Sequence, residues 1–474
     1  MGILRPTVQV LDEEHKEKVF IEAKQILATQ GVFLENKEAE ELFSSEGVEN
    51  KNHRYFIPGD LIDKCLKNIP KEISLYDREG KNKLTLEKDN VHFDPGSAAI
   101  FYLDENTGQV REPLQDDFIR FTKVVEHLPY VDAQSTAIVY TDVPKEAQDW
   151  HRLYITLKYC NKSIITGTFR KESFSIMKEL LLTCRSSKLD LAKKPLAIFD
   201  ACPSPPLGFS DLTSQSVIDA ARSMIPTEII SMPMAGANAP ITLLGSITQH
   251  CAETLSGIVM SQLAYKGAPV IWGGSPSIMD MKHGTTPMGA IETMMINLGD
   301  VEMGKYFDLP THVYMGLSDA KLPDAQSGLE AGIGAILAGL AGVNMISGLG
   351  MLDFESCQSI EKLLIDNEIA GMVKRLIGGI EDYGSPFASD ILQEYDATKE
   401  LLSHPSTLKL FKKELFFPSE IITRETREDW KSKGTTSSRQ RAKEKINKLI
   451  QTPSSHQLEQ DQEKALNDVL KKYL

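Results

Sequence analysis

The feature that most constrains the fold of this chain is an eightfold alternation between residues 91 and 380. Short apolar runs rich in β-branched residues alternate with longer segments whose apolar residues recur at helical spacing. The helix-like segment AQDWHRLYITLKYC, for example, follows the second run. The eight runs cover residues 91–97, 130–140, 162–169, 196–206, 228–240, 269–277, 312–321 and 343–351.

Eight strand–helix units predict an α/β protein with a (β/α)8 TIM barrel, whose usual length is about 250 residues. The competing architecture is an open doubly wound sheet. Such a sheet usually binds a nucleotide through a GxGxxG segment after an early strand, and no such segment follows the early runs here. The alternation therefore favours a barrel over residues 91–380.

The remaining residues are expected to pack around this barrel. Residues 1–90 predict helices followed by a β-hairpin, and residues 381–474, which are increasingly charged, predict a C-terminal helical extension. A second hairpin is expected at 98–114, with its turn at 106–108, directly after the first strand. That hairpin would lie over the mouth of the barrel.

Composition excludes several classes of protein. A net charge of −14 argues against a nucleic-acid partner, because an acidic surface repels phosphates. The six cysteines are scattered, which predicts neither a zinc site nor a disulfide framework. We therefore expect no metal, and we expect the protein to lie in a reducing cytoplasm. The N-terminal segment has no signal-peptide core, and no run of about 18 apolar residues predicts a membrane span.

Polar residues recur where the predicted strands end, which is where barrel enzymes carry their active sites. The stretch VYMGLSDAKLPDAQSG places Ser318, Asp319 and Lys321 at the end of the seventh strand, and Asp94 ends the first. Each residue also has a structural explanation: Asp94 precedes a proline and suits a turn, and Asp319 could pair with Lys321 or cap the next helix. The recurrence at one pole is what favours a site.

Several chemistries lack their motif in this sequence. It contains no GxSxG, HExxH or GxxxxGK[ST] segment. Lys321 could form a Schiff base, as in barrel aldolases, but neighbouring aspartates favour a salt bridge. His283 and His312 lack an evident partner, and His312 begins its strand, which predicts the wrong end of the barrel for catalysis.

Aromatic residues lie on or near many of the predicted strands. Aromatic faces attract quaternary ammonium groups by ~0.5–2 kcal/mol per ring, so a pocket of this kind suits such a cation. The predicted substrate-binding residues are Phe93, Tyr102, Tyr140, Phe199, Trp272, Tyr314 and Gln326.

Two long segments resemble the trimethylamine methyltransferase superfamily. They are GANAPITLLGSITQHCAETLSGIVMSQLAYKGAPVIWGGSPSIMDMKHGT and GLSDAKLPDAQSGLEAGIGAILAGLAGVNMISGLGML. The resemblance implies a (β/α)8 barrel that moves a methyl group from an amine to the Co(I) of a corrinoid carried by a separate small protein. Members that use trimethylamine contain pyrrolysine. This chain is written in standard residues, so it resembles the branch that includes glycine betaine methyltransferases.

The resemblance implies a quaternary amine as methyl donor, with glycine betaine first and related betaines behind it. A quaternary nitrogen releases a neutral amine, so the protein needs no general base; it must hold the cation, align one N–CH3 bond and exclude water. The corrinoid protein would dock on a rim formed by the hairpin at 98–114 and the loops at 273–286 and 317–327. A homo-oligomer is expected.

Residues near the strand ends are assigned to the corrinoid, since small residues would let its flat ring approach the backbone. They are Asn238, Gly273, Gly274, Ser275, Gly316, Ser318, Ser347 and Gly348. Asp94 and Asp319 are the predicted catalytic residues, supplying negative field beside the substrate cation. Two other functions stay open: a non-catalytic barrel that binds betaine or corrinoid, and a lyase based on Lys321.

Overall fold

Eight parallel strands form the centre of the molecule. The computed structural model describes residues 4–96, 98–393 and 400–474. The strands are β1 (His92–Phe93), β2 (Ala133–Ser135), β3 (Ser163–Gly167), β4 (Ala197–Ala201), β5 (Thr227–Ser231), β6 (Val270–Gly274), β7 (Thr311–Tyr314) and β8 (Met345–Ser347). Each of the eight predicted runs overlaps one of them, although β5 and β7 begin one residue earlier than predicted.

Consecutive strands pair in parallel from β2 to β8, and β8 pairs with β1. Hydrogen bonds next to β1 and β2 complete the circle. The Asp132 amide donates to the Phe93 carbonyl at 2.7 Å, and the Ala99 amide donates to the Ala137 carbonyl at 2.9 Å. The predicted (β/α)8 barrel is therefore confirmed.

A helix follows every strand and covers the outside of the barrel. The helices are α1 (Gln115–Glu126), α2 (Gln148–Tyr159), α3 (Ser173–Leu182), α4 (Asp211–Ser223), α5 (Leu243–Ala264), α6 (Ile291–Tyr306), α7 (Ala325–Leu340) and α8 (Ile360–Ile377). Side-chain caps begin several of them: Ser210 caps α4, Asp324 caps α7 and Ser359 caps α8.

The N-terminal segment closes one pole of the barrel. Its hairpin, Ile73–Tyr76 paired with Lys83–Leu86, inserts Ile73, Leu75 and Leu86 among inward-facing side chains of the strands. These strand residues are Ala133, Ile165, Ile198, Ile271 and Met345. Because this apolar plug fills the pole where the strands begin, the described part of the chain leaves the other pole as the way into the interior.

The rest of the N-terminal segment packs against α5 and α6. Its helices are Glu13–Thr29, Lys37–Ser45 and Gly59–Leu66. Its three strands, Val32–Leu34, Glu49–Lys51 and Arg54–Phe56, form a sheet with Gly208–Phe209. Shorter elements near the barrel are helices Lys145–Ala147 and Lys188–Lys193, and the strand pair Met234–Ala235 with Ser277–Ile278.

A small sheet, here called the rim sheet, lies at the open pole. The predicted hairpin after β1 is present as Phe101–Leu103 paired with Val110–Arg111. It joins a second hairpin after β8, Met351–Leu352 with Cys357–Gln358, through pairing of Phe101 with Cys357. The first and last barrel units are therefore tied together at the mouth.

The C-terminal extension is helical, as predicted. Its elements are Ser389–Gln393, Leu401–Ser403, Pro405–Glu414, Arg427–Ser432, Ser438–Gln451 and Gln460–Tyr473. The last two helices bury Ala442, Ile446, Leu466 and Val469 in the same apolar cluster as α1 and α2. No helix in the described parts of the chain is long and apolar enough to cross a membrane.

Candidate functional site

A hydrogen-bonded chain of four side chains crosses the barrel interior. Glu228 of β5 contacts His312 Nδ1 on β7, and His312 Nε2 lies 2.6 Å from Ser347 Oγ on β8. Ser347 Oγ donates to Asp94 Oδ2 at 2.6 Å, just past β1. All four side chains are fully buried.

Strand β6 lies between β5 and β7, and its inward-facing residue at the level of Glu228 and His312 is Gly273. A Cβ built on Gly273 would lie 2.2 Å from the Glu228 carboxylate. With no side chain there, Glu228 reaches past β6 to His312. The structure therefore ties Gly273 to the interior of the barrel.

Asp200 of β4 adds a third carboxyl group, and we call Asp94, Asp200 and Glu228 the acid cluster. Asp200 interacts electrostatically with Glu228, His312 and Asp94. One oxygen of each carboxyl group, Asp94 Oδ1, Asp200 Oδ1 and Glu228 Oε1, is buried without a hydrogen-bond partner within the described residues. Asp200 alone keeps some exposed surface, so the cluster can be approached from its side.

Burial dominates the acid–base properties of these groups. It raises the pKa of Asp94 to about 6 against the attraction of His312, and it raises the pKa values of Asp200 and Glu228 well above their ordinary range. Burial also lowers the pKa of His312. The interior therefore disfavours a full set of negative charges, and it offers no lysine or arginine in an ion pair with the cluster among the described residues.

Most of the predicted aromatic cage lies elsewhere. Phe93, Phe199 and Trp272 point away from the interior into the layer between strands and helices. Phe93 faces Lys374, Phe199 packs on Phe174 with ring centres 5.0 Å apart, and Trp272 packs on Phe307 at 5.2 Å. These three predicted substrate-binding rings therefore do not line the barrel interior.

Two tyrosines are also absent from the interior. The Tyr140 hydroxyl bonds His151 Nδ1 at 2.6 Å beneath α2, and the Tyr102 hydroxyl donates to Glu105 at 2.6 Å behind the rim sheet. Tyr314, in contrast, faces inward and stacks on His312 with ring centres 5.4 Å apart. Of the predicted aromatic residues, Tyr314 is the one that the structure brings to the acid cluster.

The predicted corrinoid-facing glycines have neighbours within this chain. A Cβ on Gly274 would lie 2.4 Å from His250 Nε2, outside the barrel wall. Gly316 and Gly348 leave room for the side chains of Leu349 and Leu317, where the loops after β7 and β8 pack together. None of these three glycines forms an open cradle for a flat ring, since each is filled by a neighbour from this chain.

The remaining predicted residues lie in loops around the mouth. Asn238 Oδ1 accepts from the Met234 amide at 2.6 Å, and Ser318 Oγ donates to Glu330 at 2.6 Å. Gln326 is exposed and donates to Glu330 at 2.8 Å. These contacts shape the loops.

Asp319 holds two mouth loops together. Its carboxylate oxygens accept from the Met288 and Gly289 amides, both at 2.8 Å, although burial raises its pKa to about 6. Asp319 is not part of the acid cluster, so the structure separates the two predicted catalytic aspartates. It also lines a cleft of about 930 Å³, here called the mouth cleft, together with Gln326 and Phe354.

A strained turn borders the mouth cleft. Asp353, Phe354 and Glu355 have φ values of 51°, 55° and 65°, and a left-handed backbone costs an L-residue about 1–2 kcal/mol. Lys321 holds the turn, since its Nζ lies 2.6 Å from Asp353 and 3.7 Å from the centre of the Phe354 ring. The turn brings Glu355 to 3.4 Å from Ser275, and burial raises the Glu355 pKa to about 7. Lys321 thus forms a salt bridge, but its partner is Asp353 and not the neighbouring aspartates Asp319 and Asp324.

Three members of the site were missed or misplaced from sequence. His312 was placed at the wrong pole, yet its ring reaches Ser347 and the acid cluster. Neither Glu228 nor Asp200 is among the site residues predicted from sequence. A charged residue inside an otherwise apolar strand, as in EIIS and AIFDA, was the available signal.

Comparison with known proteins places these features in a family context. A family profile described as "Trimethylamine methyltransferase (MTTB)" matches residues 3–473. A trimethylamine methyltransferase MttB from Desulfitobacterium hafniense is 30% identical over 90% of this chain and 86% of its own. A glycine betaine methyltransferase from the same species is 27% identical over 93% of this chain and 92% of its own.

Solved structures agree on the fold. The crystal structure of the Methanosarcina barkeri monomethylamine methyltransferase (MtmB) superimposes with a TM-score of 0.55 at 14% identity, covering 94% of this chain and 88% of that one. At this identity the likeness concerns architecture alone. Within the described residues, no group of three or more His, Cys, Asp and Glu side chains is arranged to hold a metal ion.

Proposed function

Because this chain belongs to the trimethylamine methyltransferase family, we propose that it transfers a methyl group from a quaternary amine to a corrinoid carried by a separate protein. Glycine betaine or a related betaine is the first candidate donor. The observation that carries the proposal is the acid cluster. Its three carboxyl groups are buried, and each has one oxygen without a hydrogen-bond partner among the described residues.

The acid cluster suits a permanent cation. Opposite charges attract strongly in a medium of low dielectric constant, and a quaternary ammonium group has no N–H with which to donate a hydrogen bond. Asp94 is the best-placed carboxylate, since Ser347 fixes one oxygen and leaves the other unpartnered. Tyr314 adds one aromatic face beside His312.

The reactive nucleophile would come from the partner's corrinoid. The residues of this chain would bind the ammonium group, orient one N–CH3 bond towards the mouth and keep water away. The apolar plug supports this division of labour, because it leaves the open pole as the route for a partner. The mouth cleft, at about 930 Å³, is large enough to receive part of a bulky cofactor.

We further place the docking face for the corrinoid protein on the rim sheet and the loops at 273–286 and 317–327. We also place the protein in the cytoplasm, where its six free cysteines would stay reduced.

Absorption spectroscopy of reduced free cobalamin tests the activity. Loss of the reduced form is expected with a quaternary amine and not with trimethylamine. Asp94→Asn should raise KM about 10–100-fold, equivalent to about 1.4–2.8 kcal/mol, because the cation loses its nearest charge. Asp468→Asn, an exposed position on the C-terminal helix Gln460–Tyr473, serves as control and should behave as wild type. Turnover of trimethylamine alone, or wild-type kinetics in Asp94→Asn, would contradict the proposal.

A further inference from the structure

The acid cluster poses a charge problem in the ligand-free protein. Asp94, Asp200 and Glu228 share one closed barrel interior, and three carboxylates cannot all ionise there without a cation. Arg152 attracts Asp200 electrostatically, but its guanidinium donates to the Thr136 and Gln148 carbonyls. The cluster therefore has to hold protons of its own.

Hydrogen-bond geometry locates one of these protons. Ser347 has one hydroxyl proton, which it gives to Asp94, so Ser347 Oγ accepts from His312 Nε2–H. His312 Nδ1 then shares a single proton with Glu228. Whichever partner carries it, the Glu228–His312 pair is neutral, and the remaining charge falls on Asp94 and Asp200.

We propose that Asp94 and Asp200 together keep one proton in the ligand-free protein and release it when a quaternary ammonium group binds. The site would then exchange a cation for a proton. The inference rests on the proposed function, because it takes a quaternary amine as the ligand. Charge balances within the acid cluster: one positive charge enters with the ammonium group and one leaves as H⁺, while the carboxylate of a betaine would have to stay outside the cluster. When a methyl cation equivalent later departs and leaves a neutral amine, uptake of one proton restores the starting charge.

Four charged or titratable groups among the described residues act on the pair. Glu228 and His312 adjoin it, Asp132 repels the Asp94 carboxylate, and Arg152 attracts Asp200. The raised pKa values of Asp94 and Asp200, both caused first by burial, agree with a retained proton. Glu355 and Asp319 lie at the mouth and influence each other.

Isothermal titration calorimetry with glycine betaine and with tetramethylammonium tests the exchange. Titrations at one pH in buffers of different ionisation enthalpy count the protons released, and up to one per bound cation is expected. Affinity should rise by up to tenfold per pH unit while the ligand-free pair still holds its proton, and it should become constant once the pH exceeds the pKa at which the pair loses that proton. Binding that releases no proton, with constant affinity from pH 5 to 8, would refute the exchange.

Two variants assign the proton. Asp200→Asn should abolish most of the proton release. Asp300→Asn is the matched control. Asp300 is another buried aspartate with a raised pKa and no hydrogen bond to either oxygen, but it lies on α6, where one oxygen is 3.3 Å from His250 Nδ1, outside the strands. That control should release protons as wild type does; loss of release in both variants would contradict the assignment.

Infrared difference spectroscopy of the wild type avoids dependence on a variant's folding. A protonated carboxyl band should disappear when the cation binds, and an unchanged band would refute the exchange. If neither cation binds at any pH, the proposed function itself is wrong. Binding without proton release would refute the exchange of cation for proton but not the proposed function.

Discussion

At the scale of single residues, Gly273 and Gly274 separate the two faces of the barrel wall. A Cβ on Gly273 would strike the Glu228 carboxylate inside, and a Cβ on Gly274 would strike His250 outside. Both substitutions crowd a buried neighbour, yet one of the two neighbours belongs to the acid cluster. The pair therefore distinguishes damage to the site from damage to the fold.

Gly273→Ala and Gly274→Ala should each lower the free energy of unfolding by about 1–3 kcal/mol, the usual result of overpacking. Gly273→Ala should also weaken binding of a quaternary amine at least tenfold, because it displaces Glu228 from His312. Urea denaturation and calorimetric titration measure the two effects. Equal loss of affinity in both variants would show that the inner and outer faces are not functionally distinct.

The same distinction explains why sequence located the strands but not the direction of their side chains. Barrel strands are buried on both faces, so VIWGG and AIFDA show no polar alternation that would mark an inner face. Trp272 and Phe199 are predicted to bind substrate because they are aromatic residues on strands, and this argument does not say which face of the strand they lie on. His312 could not be paired from sequence, since its partners Glu228 and Ser347 are 84 and 35 residues away.

At the scale of elements, the rim sheet joins the first and last units of the barrel at the open pole. Its hairpin was predictable because turn residues separate two short apolar runs. Its pairing with the hairpin after β8 depends on barrel closure and could not be predicted from local sequence. The hairpin exposes Phe101 and Val110, which are 37% and 50% exposed. Exposed apolar groups at the open pole support docking of a partner there.

Changing both Phe101 and Val110 to serine should slow methyl transfer to a protein-bound corrinoid at least tenfold. Transfer to free cobalamin should stay within twofold of wild type, because the acid cluster is untouched. Leu408→Ser, an exposed position in the C-terminal extension, is the control. Equal slowing with both acceptors would place the hairpin in the reaction itself, and no slowing with either would move the docking face elsewhere.

At the scale of the whole molecule, α7 presents an unusual surface. It carries a single charged residue, Glu330, in 16 residues, and Leu329, Ile333 and Ile336 are 62%, 40% and 38% exposed. These three positions share one face, since they lie three and four residues apart. Helices of a barrel normally present polar residues to solvent, so the apolar face supports the expected homo-oligomer, with a second copy of α7 as the natural occupant.

The predicted contact can be broken with one charge. Ile333→Glu would place like charges opposite each other across a two-fold axis, where the desolvation penalty adds to their repulsion. In sedimentation velocity, the Ile333→Glu variant should sediment as a smaller species than the wild-type oligomer. Its far-ultraviolet circular dichroism spectrum should match that of the wild type. Leu189→Glu, on the short charged helix Lys188–Lys193, should leave the wild-type sedimentation coefficient unchanged. A monomeric wild type, or an Ile333→Glu variant that sediments as the wild type does, would mean that this face does not join two copies, and the exposed apolar residues of α7 would then require a different partner.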